Sequence, residues 1–256
     1  MDKKNRLFLL LGGFFITNAL IAEFIGVKIF SLEKTLGFYP LNLRLFGVDG
    51  LGFNLTAGVM LWPVVFIMTD IINEYYGKKG VRLLSNMAVV LILYAFLMFF
   101  TGINLVPNDW WQFQSGLSDD PAKSLSDMDL AFRKIFGQGL WIIIGSLVAF
   151  LVGQIVDVMV FHRIKKVTGE KKIWLRATGS TLVSQFIDSY IVLIVAFYIG
   201  ADWDLVLVLA IGTVNYFYKF FLALLLTPLI YLGHYLIDNY LGKDLAEEMK
   251  VEAAVQ

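Results

Sequence analysis

Two short motifs place an amide and a carboxylate three residues apart: Gly153-Gln154-Ile155-Val156-Asp157 and Ser184-Gln185-Phe186-Ile187-Asp188. Spacing of three puts both side chains of each pair on one face of a helix. In a soluble domain that would mean little, but the flanking runs are apolar and long enough to cross a bilayer. A carboxylate at the centre of a membrane helix costs roughly 2.5–3.5 kcal/mol on insertion scales, so it marks a functional site by default. Buried amides and carboxylates of this kind bind polar ligands or ions in a closed interior. The first reading is therefore a membrane protein with a polar lumen, and within that class a transporter.

Composition narrows the field. Apolar residues make up 58% of the 256 residues and charged residues 16%, against about 25% charged in soluble domains, and mean hydropathy is +0.72. The 22 Phe, 11 Tyr and 6 Trp suit lipid contact and interface belts. Net charge is zero, which gives no electrostatic case for nucleic acid. The absence of Cys excludes disulfides, thiolate metal sites and Cys nucleophiles. His162 and His234 alone do not supply a metal ligand set, and no phosphate loop or nucleophile elbow is present. Neither a cofactor nor a metal is expected, and the chain does not read as an enzyme.

Six apolar segments that could position the motifs run over about 7–30, 54–72, 83–102, 137–161, 181–200 and 205–236. Each meets the roughly 17–25 residues a membrane helix needs. The first is longer than the core of a cleaved signal, so it is read as a span. Pro63 and Pro228 predict kinks in the second and sixth. Lys and Arg crowd the N-terminus (Lys3, Lys4, Arg6), the second-to-third loop (Lys78, Lys79, Arg82), the fourth-to-fifth loop (Arg163, Lys165, Lys166, Lys171, Lys172, Arg176) and the tail (Lys243, Lys250). The opposite loops carry only Lys34, Arg44, Lys123, Arg133 and Lys134. The positive-inside rule then puts both termini in the cytoplasm. The expected fold is an all-α integral membrane protein: one domain over 1–256, six transmembrane helices, multi-pass. The external loop over 103–136 is acidic, with Trp110 and Trp111 at headgroup level.

The polar residues in or near the spans are sorted by depth and by available partners. Glu74 with Lys78 reads as an i, i+4 pair at a helix end, and Asp70 as a partner of Arg82 or Lys78 across the inner loop. Asp157 is within reach of the basic fourth-to-fifth loop, and Asn18 of a neighbouring helix. Asp188 and Lys219 lie deepest. Either they face each other as a structural ion pair, or they line a solvated pocket as ligand groups. The candidate substrate-binding residues are Asp188, Gln185, Lys219, Gln154, Asp157, Asn215, Asn18 and Asp70.

Four stretches carry a resemblance over nearly the whole chain: Pro63 with Thr69-Asp70-Ile71-Ile72-Asn73-Glu74-Tyr75-Tyr76-Gly77; Gly153-Gln154-Ile155-Val156-Asp157-Val158; Gly179-Ser180-Thr181-Leu182-Val183-Ser184-Gln185-Phe186-Ile187-Asp188-Ser189; and Asn215-Tyr216-Phe217-Tyr218-Lys219 with Pro228 downstream. In these the chain resembles the queuosine-precursor transporter family, also described as vitamin-uptake transporters. The resemblance implies a six-helix inner-membrane importer of 7-cyano-7-deazaguanine or a related 7-deazaguanine base, feeding queuosine salvage. Its partners would be the small deazapurine substrate and the lipid bilayer. An energising partner or a homo-oligomer is left open, and the acidic 103–136 loop departs from the family. Gln185 and Asp188 would meet the base's polar edge, with Phe186, Tyr190, Tyr216 and Tyr218 offering flat faces. The competing readings are a transporter of another planar vitamin-like molecule, a membrane enzyme using Asp70, Asp157 and Asp188, and a structural subunit.

Overall fold

Long apolar runs leave the backbone one way to satisfy its polar groups away from water, and that is the helix. The computed structural model describes residues 2–113, 127–137, 139–169 and 172–255. In chain order it has α1 (Lys3–Ile25), β1 (Ile29–Ser31), α2 (Leu32–Thr35), β2 (Leu43–Leu45), β3 (Val48–Leu51), β4 (Asn54–Thr56) and a 3₁₀ turn (Ala57–Met60). Next come α3 (Trp62–Ile103), α4 (Asp109–Gln112), α5 (Met128–Phe136), α6 (Leu140–Thr168) and α7 (Ile173–Leu193) with a π-helical extension (Ile194–Ile199). Then follow α8 (Leu205–Leu241) and α9 (Lys243–Val255). Five helical runs among the described residues are long and apolar enough to cross a bilayer: α1, α3, α5 through α6, α7 with its extension, and α8.

The 42 residues of α3 would reach about 63 Å if straight, twice the ~30 Å hydrocarbon core. The helix instead breaks at Gly77, whose φ of 66° and ψ of −171° are non-helical. A single atom, Gln154 Oε1, accepts hydrogen bonds from both Thr69 Oγ1 at 3.0 Å and Ser85 Oγ at 3.4 Å. On a straight helix those two residues would lie about 24 Å apart. The chain therefore reverses at Gly77, and residues 62–76 and 78–103 lie side by side. Val65, Met68 and Ile72 of the first half pack with Val81, Leu84 and Ala88 of the second, and with Phe15 and Ala19 of α1. The two apolar segments read at 54–72 and 83–102 are these halves, shifted. Residues 54–56 form a strand, and a glycine turn replaces the expected loop. Pro63 does not kink anything, because it sits in the first turn of α3, where a missing N–H is no loss.

At the other end of α1 the 3₁₀ turn approaches so closely that a Cβ on Gly58 would stand 2.3 Å from the Ala22 carbonyl oxygen. The strands pair antiparallel as β1 with β4 and β2 with β3. Glu33 fastens this region, its Oε1 accepting from the Phe53 N–H at 2.8 Å. None of these strands exceeds four residues, too short for an alternating pattern to announce.

The chain ends meet. Lys3 Nζ donates to the Tyr240 carbonyl at 3.1 Å, Lys4 pairs with Glu248 at 2.9 Å, and Tyr76 donates to the Lys4 carbonyl at 2.7 Å. Both termini and the Gly77 reversal thus share one end of the bundle. The tail is helical: Ala246 and Met249 of α9 pack on Leu7, Ile71 and Tyr75. The basic loop expected between the fourth and fifth segments shrinks, because Arg163, Lys165 and Lys166 belong to α6 and Arg176 to α7. Rings of Phe99, Phe136, Phe132 and Trp111 contact one another in that order, joining the segment 103–136 to α3, and Trp110 is exposed. Asp119, Asp120 and Lys123 lie outside the described residues.

Gly77→Ala should expose the reversal. The backbone there lies in a region essentially reserved for glycine, where another residue costs of order 1–3 kcal/mol. The thermal midpoint of purified Gly77→Ala should fall clearly. Gly13→Ala, in open space on α1, should leave it unchanged. Equal midpoints for both variants would contradict the reversal.

Candidate functional site

Polar groups on four helices form a column through the bundle. The residues 178, 181, 185 and 188 of α7 recur at helical spacing and share a face. Thr178, Thr181 and Gln185 line a narrow cleft with Pro63 and Ile67 of α3 and Lys219, Ala223, Leu226 and Ile230 of α8. Its free space, about 20 Å³, admits little more than a water molecule. Lys219 Nζ pairs with Asp188 Oδ2 at 2.5 Å. Two more polar atoms near the pair are buried without a hydrogen-bond partner: the Gln185 amide nitrogen and the Asn215 side-chain oxygen, one turn before Lys219. Glu23 of α1 lies within electrostatic reach of Asp188 and accepts from Ser146 at 3.1 Å.

A second cluster lies one to three turns away along α7. Asp70 of α3 accepts from Ser180 at 3.4 Å and Thr181 at 3.3 Å, and Asp157 of α6 accepts from Ser184 at 3.1 Å. The Asp70 and Asp157 carboxyls lie within electrostatic reach of each other, held by hydroxyls on adjacent turns of α7. Gln154, a turn from Asp157, is held by Thr69 and Ser85, and its amide nitrogen has no partner. Further along, Glu74 meets Arg176 at 2.6 Å and Lys165 at 3.2 Å, while His162 bonds Asn73 at 2.9 Å. At the end that holds the termini, Tyr75 contacts His234 at 3.1 Å and donates to Asp238 at 2.7 Å, which also pairs with Lys250.

Several sequence readings change here. Glu74 is tied across the bundle to Arg176 and Lys165, because the break at Gly77 turns Lys78 away from the face an i, i+4 pair needs. Asp70 is satisfied by the hydroxyls of Ser180 and Thr181, not by Arg82 or Lys78, and Asp157 accepts from Ser184 and forms no ion pair with the described residues of the basic loop. The structure brings Asp188, Gln185, Lys219 and Asn215 together, and gathers Asp70, Asp157 and Gln154 into the second cluster. Asn18 stands apart from both, donating to the Phe14 carbonyl at 2.8 Å within its own helix. Two of the four aromatic residues face elsewhere: Phe186 and Tyr190 line a different cleft, of about 440 Å³, with Phe46, Ile187 and Leu209. Tyr216 packs edge-on against Phe186, with centroids 5.1 Å apart.

Sequence reasoning missed Arg176, which is fully buried, because it reads as one more basic loop residue. Its signal is the apolar flank Trp174-Leu175 and Ala177, unusual for a solvated loop. It also missed the hydroxyls of Thr69, Ser85, Ser180, Thr181 and Ser184, which look unremarkable one at a time.

The ion pair generates a double-mutant test. Removing one partner of a buried pair costs about 3–5 kcal/mol, and these two side chains are only 11% and 18% exposed. Lys219→Met and Asp188→Asn should each lower the folded yield, and the double variant should recover it, with a coupling of roughly 0.5–3 kcal/mol. Strictly additive losses would show that the two side chains do not interact.

The residues of both clusters fall inside a recognisable sequence family. A family model described as "Putative vitamin uptake transporter" matches residues 56–233, which contain every polar group above except those on α1 and α9, His234 and Asp238. A protein of Bacillus subtilis named a probable queuosine precursor transporter is 31% identical over 193 residues, covering 75% of this chain and 77% of that one. One of the same name from Haemophilus influenzae is 27% identical over 181 residues, covering 68% and 66%. The queuosine precursor transporter of Escherichia coli is 26% identical over 213 residues, covering 80% and 83%. No solved structure matches the chain. A family match across most of the chain, backed by a relative above 30% identity over three quarters of both sequences, places this multi-helical membrane protein in the vitamin uptake transporter family.

Proposed function

We propose that the chain imports a queuosine precursor, 7-cyano-7-deazaguanine or a related 7-deazaguanine base, across the inner membrane for tRNA queuosine salvage. The observation that carries this reading is the Asp188–Lys219 pair at a cleft, beside a Gln185 amide with no partner of its own. A deazaguanine presents a lactam N–H next to an exocyclic amine, two parallel donors. A carboxylate accepts both as a bidentate pair. Asp188 would take that role, releasing Lys219 to donate to the neighbouring lactam carbonyl. Gln185 and Asn215 would complete the polar edge. Gln154, Asp157 and Asp70 continue the polar path beyond the cleft, and Asn18 has no place in it. The names of the three relatives support the substrate class. Nothing in this arrangement requires bond-making chemistry.

The reading includes six crossings with both termini in the cytoplasm. Counting the two halves of α3 separately gives six helical passages, and the basic residues Lys3, Lys4, Lys78, Lys79, Lys165 and Lys166 gather at the end that holds the termini. A reporter fused after Lys250 should behave as cytoplasmic and one inserted near Asp120 as external. Finding both on one side removes this topology.

The decisive measurement is queuosine-modified tRNA in a strain that cannot make the precursor and has no importer of its own. Supplied at nanomolar levels, the base should restore modification only with this chain present, and excess riboflavin or biotin should not compete. Asp188→Asn replaces one acceptor with a donor. Loss of a charged hydrogen-bond partner costs about 1.5–3 kcal/mol, or roughly 10- to 150-fold in affinity. Restoration by Asp188→Asn equal to wild type at limiting substrate and equal expression would end the direct-ligand role.

A further inference from the structure

The Asp70–Asp157 pair is not used by the substrate geometry, and it presents a charge problem of its own. Asp70 is 1% exposed and Asp157 0%. Asp157 Oδ2 is buried with no hydrogen-bond partner, and the Asp70 carboxyl is held nearby by Ser180 and Thr181, within a turn of the Ser184 that holds Asp157. No Lys or Arg among the described residues forms an ion pair with either group. The charged and titratable side chains on the surrounding helices are committed elsewhere: Glu74 of α3 with Lys165 of α6 and Arg176 of α7, Asp188 of α7 with Lys219 of α8, His162 with Asn73, and His234 with Tyr75. Two ionised carboxylates accept hydrogen bonds and cannot donate one. Buried close together, without a paired cation, they are strongly disfavoured from both being charged.

We propose that Asp70 and Asp157 bind the proton that drives import, so that the transporter is a proton symporter. This rests on the import reading above. The link to substrate is Thr181, whose hydroxyl donates to Asp70 while its side chain lines the substrate cleft. Ser184, bonded to Asp157, directly precedes Gln185. With the proton bound, α3, α6 and α7 close over a pair carrying one negative charge. Loss of the proton leaves two buried charges close together and forces the helices apart. One proton leaves the outer solution, one O–H bond forms and later breaks, and one proton reaches the cytoplasm with each substrate; nothing is oxidised or reduced.

The test has two arms on the full-length purified protein. Infrared spectra at neutral pH should show a protonated-carboxyl C=O band that is missing from both Asp70→Asn and Asp157→Asn, with folding of each checked by thermal midpoint. Identical bands in wild type and both variants overturn the proposal, whether or not the base binds. In proteoliposomes, 7-cyano-7-deazaguanine should accumulate above equilibrium when the outside is acid and only equilibrate when the pH gradient is collapsed. Accumulation driven by a sodium gradient, or indifferent to either gradient, also overturns it. A lost band in the variants with no uptake of this base under any gradient supports the proton site and sinks the substrate assignment instead.

Discussion

Charge inside an apolar bundle has to be neutralised where it sits, since water is not there to do it. That constraint organises the contacts among the helices. Lys219 ties α8 to α7 through Asp188. Arg176 and Lys165 tie α7 and α6 to α3 through Glu74. Gln154 of α6 reaches both halves of α3 through Thr69 and Ser85. Pairs of this kind are weak contributors to net stability, because desolvation offsets most of the attraction. Their effect is on arrangement: each can be satisfied in one register of two helices and is costly in any other. Apolar packing of Val65, Ile72, Ala88 and Phe150 supplies the cohesion, while the buried charges select the geometry.

Hydropathy was enough to read the class of fold, and basic-residue bias gave an orientation to propose, because both depend on composition averaged over whole segments. What was not legible depends on one residue or on pairs distant in sequence. Gly77 ends a helix and starts its reverse neighbour, yet in sequence it resembles any glycine beside two lysines. The proline expected to bend the second segment lies in its first turn, where it bends nothing. Glu74 looked like the partner of Lys78, four residues on, and is bonded to residues about 90 and 100 positions away. The short strands near the C-terminal end of α1 carry too few residues to show a period.

The candidate site was half legible. Asp188 and Lys219 stood out because nothing adjacent in sequence could neutralise them at their depth, and they do meet. Gln185 was linked to Asp188 by its spacing, and it lies at the same cleft. The aromatic residues were harder, since sequence gives no sign of which way a ring turns. Phe186 follows Gln185 by one residue and so points roughly 100° away around the helix, into the other cleft. The separation of the Asp188–Lys219 pair from the Asp70–Asp157 pair required knowing that three helices meet at Ser180, Thr181 and Ser184.

α7 serves both clusters from one continuous helix: Ser180, Thr181 and Ser184 toward the carboxyl pair, Thr178 and Gln185 toward the cleft, and Asp188 toward Lys219. This makes the segment intolerant of a change in length. Adding or deleting one residue between Thr181 and Asp188 would rotate everything beyond it by about 100°, carrying Phe186 toward the place Gln185 holds and pulling Asp188 off Lys219. Relatives of this chain that differ freely in their outer loops should therefore keep this stretch free of insertions and deletions, and a chimera joined within it should fail unless the count of residues is preserved.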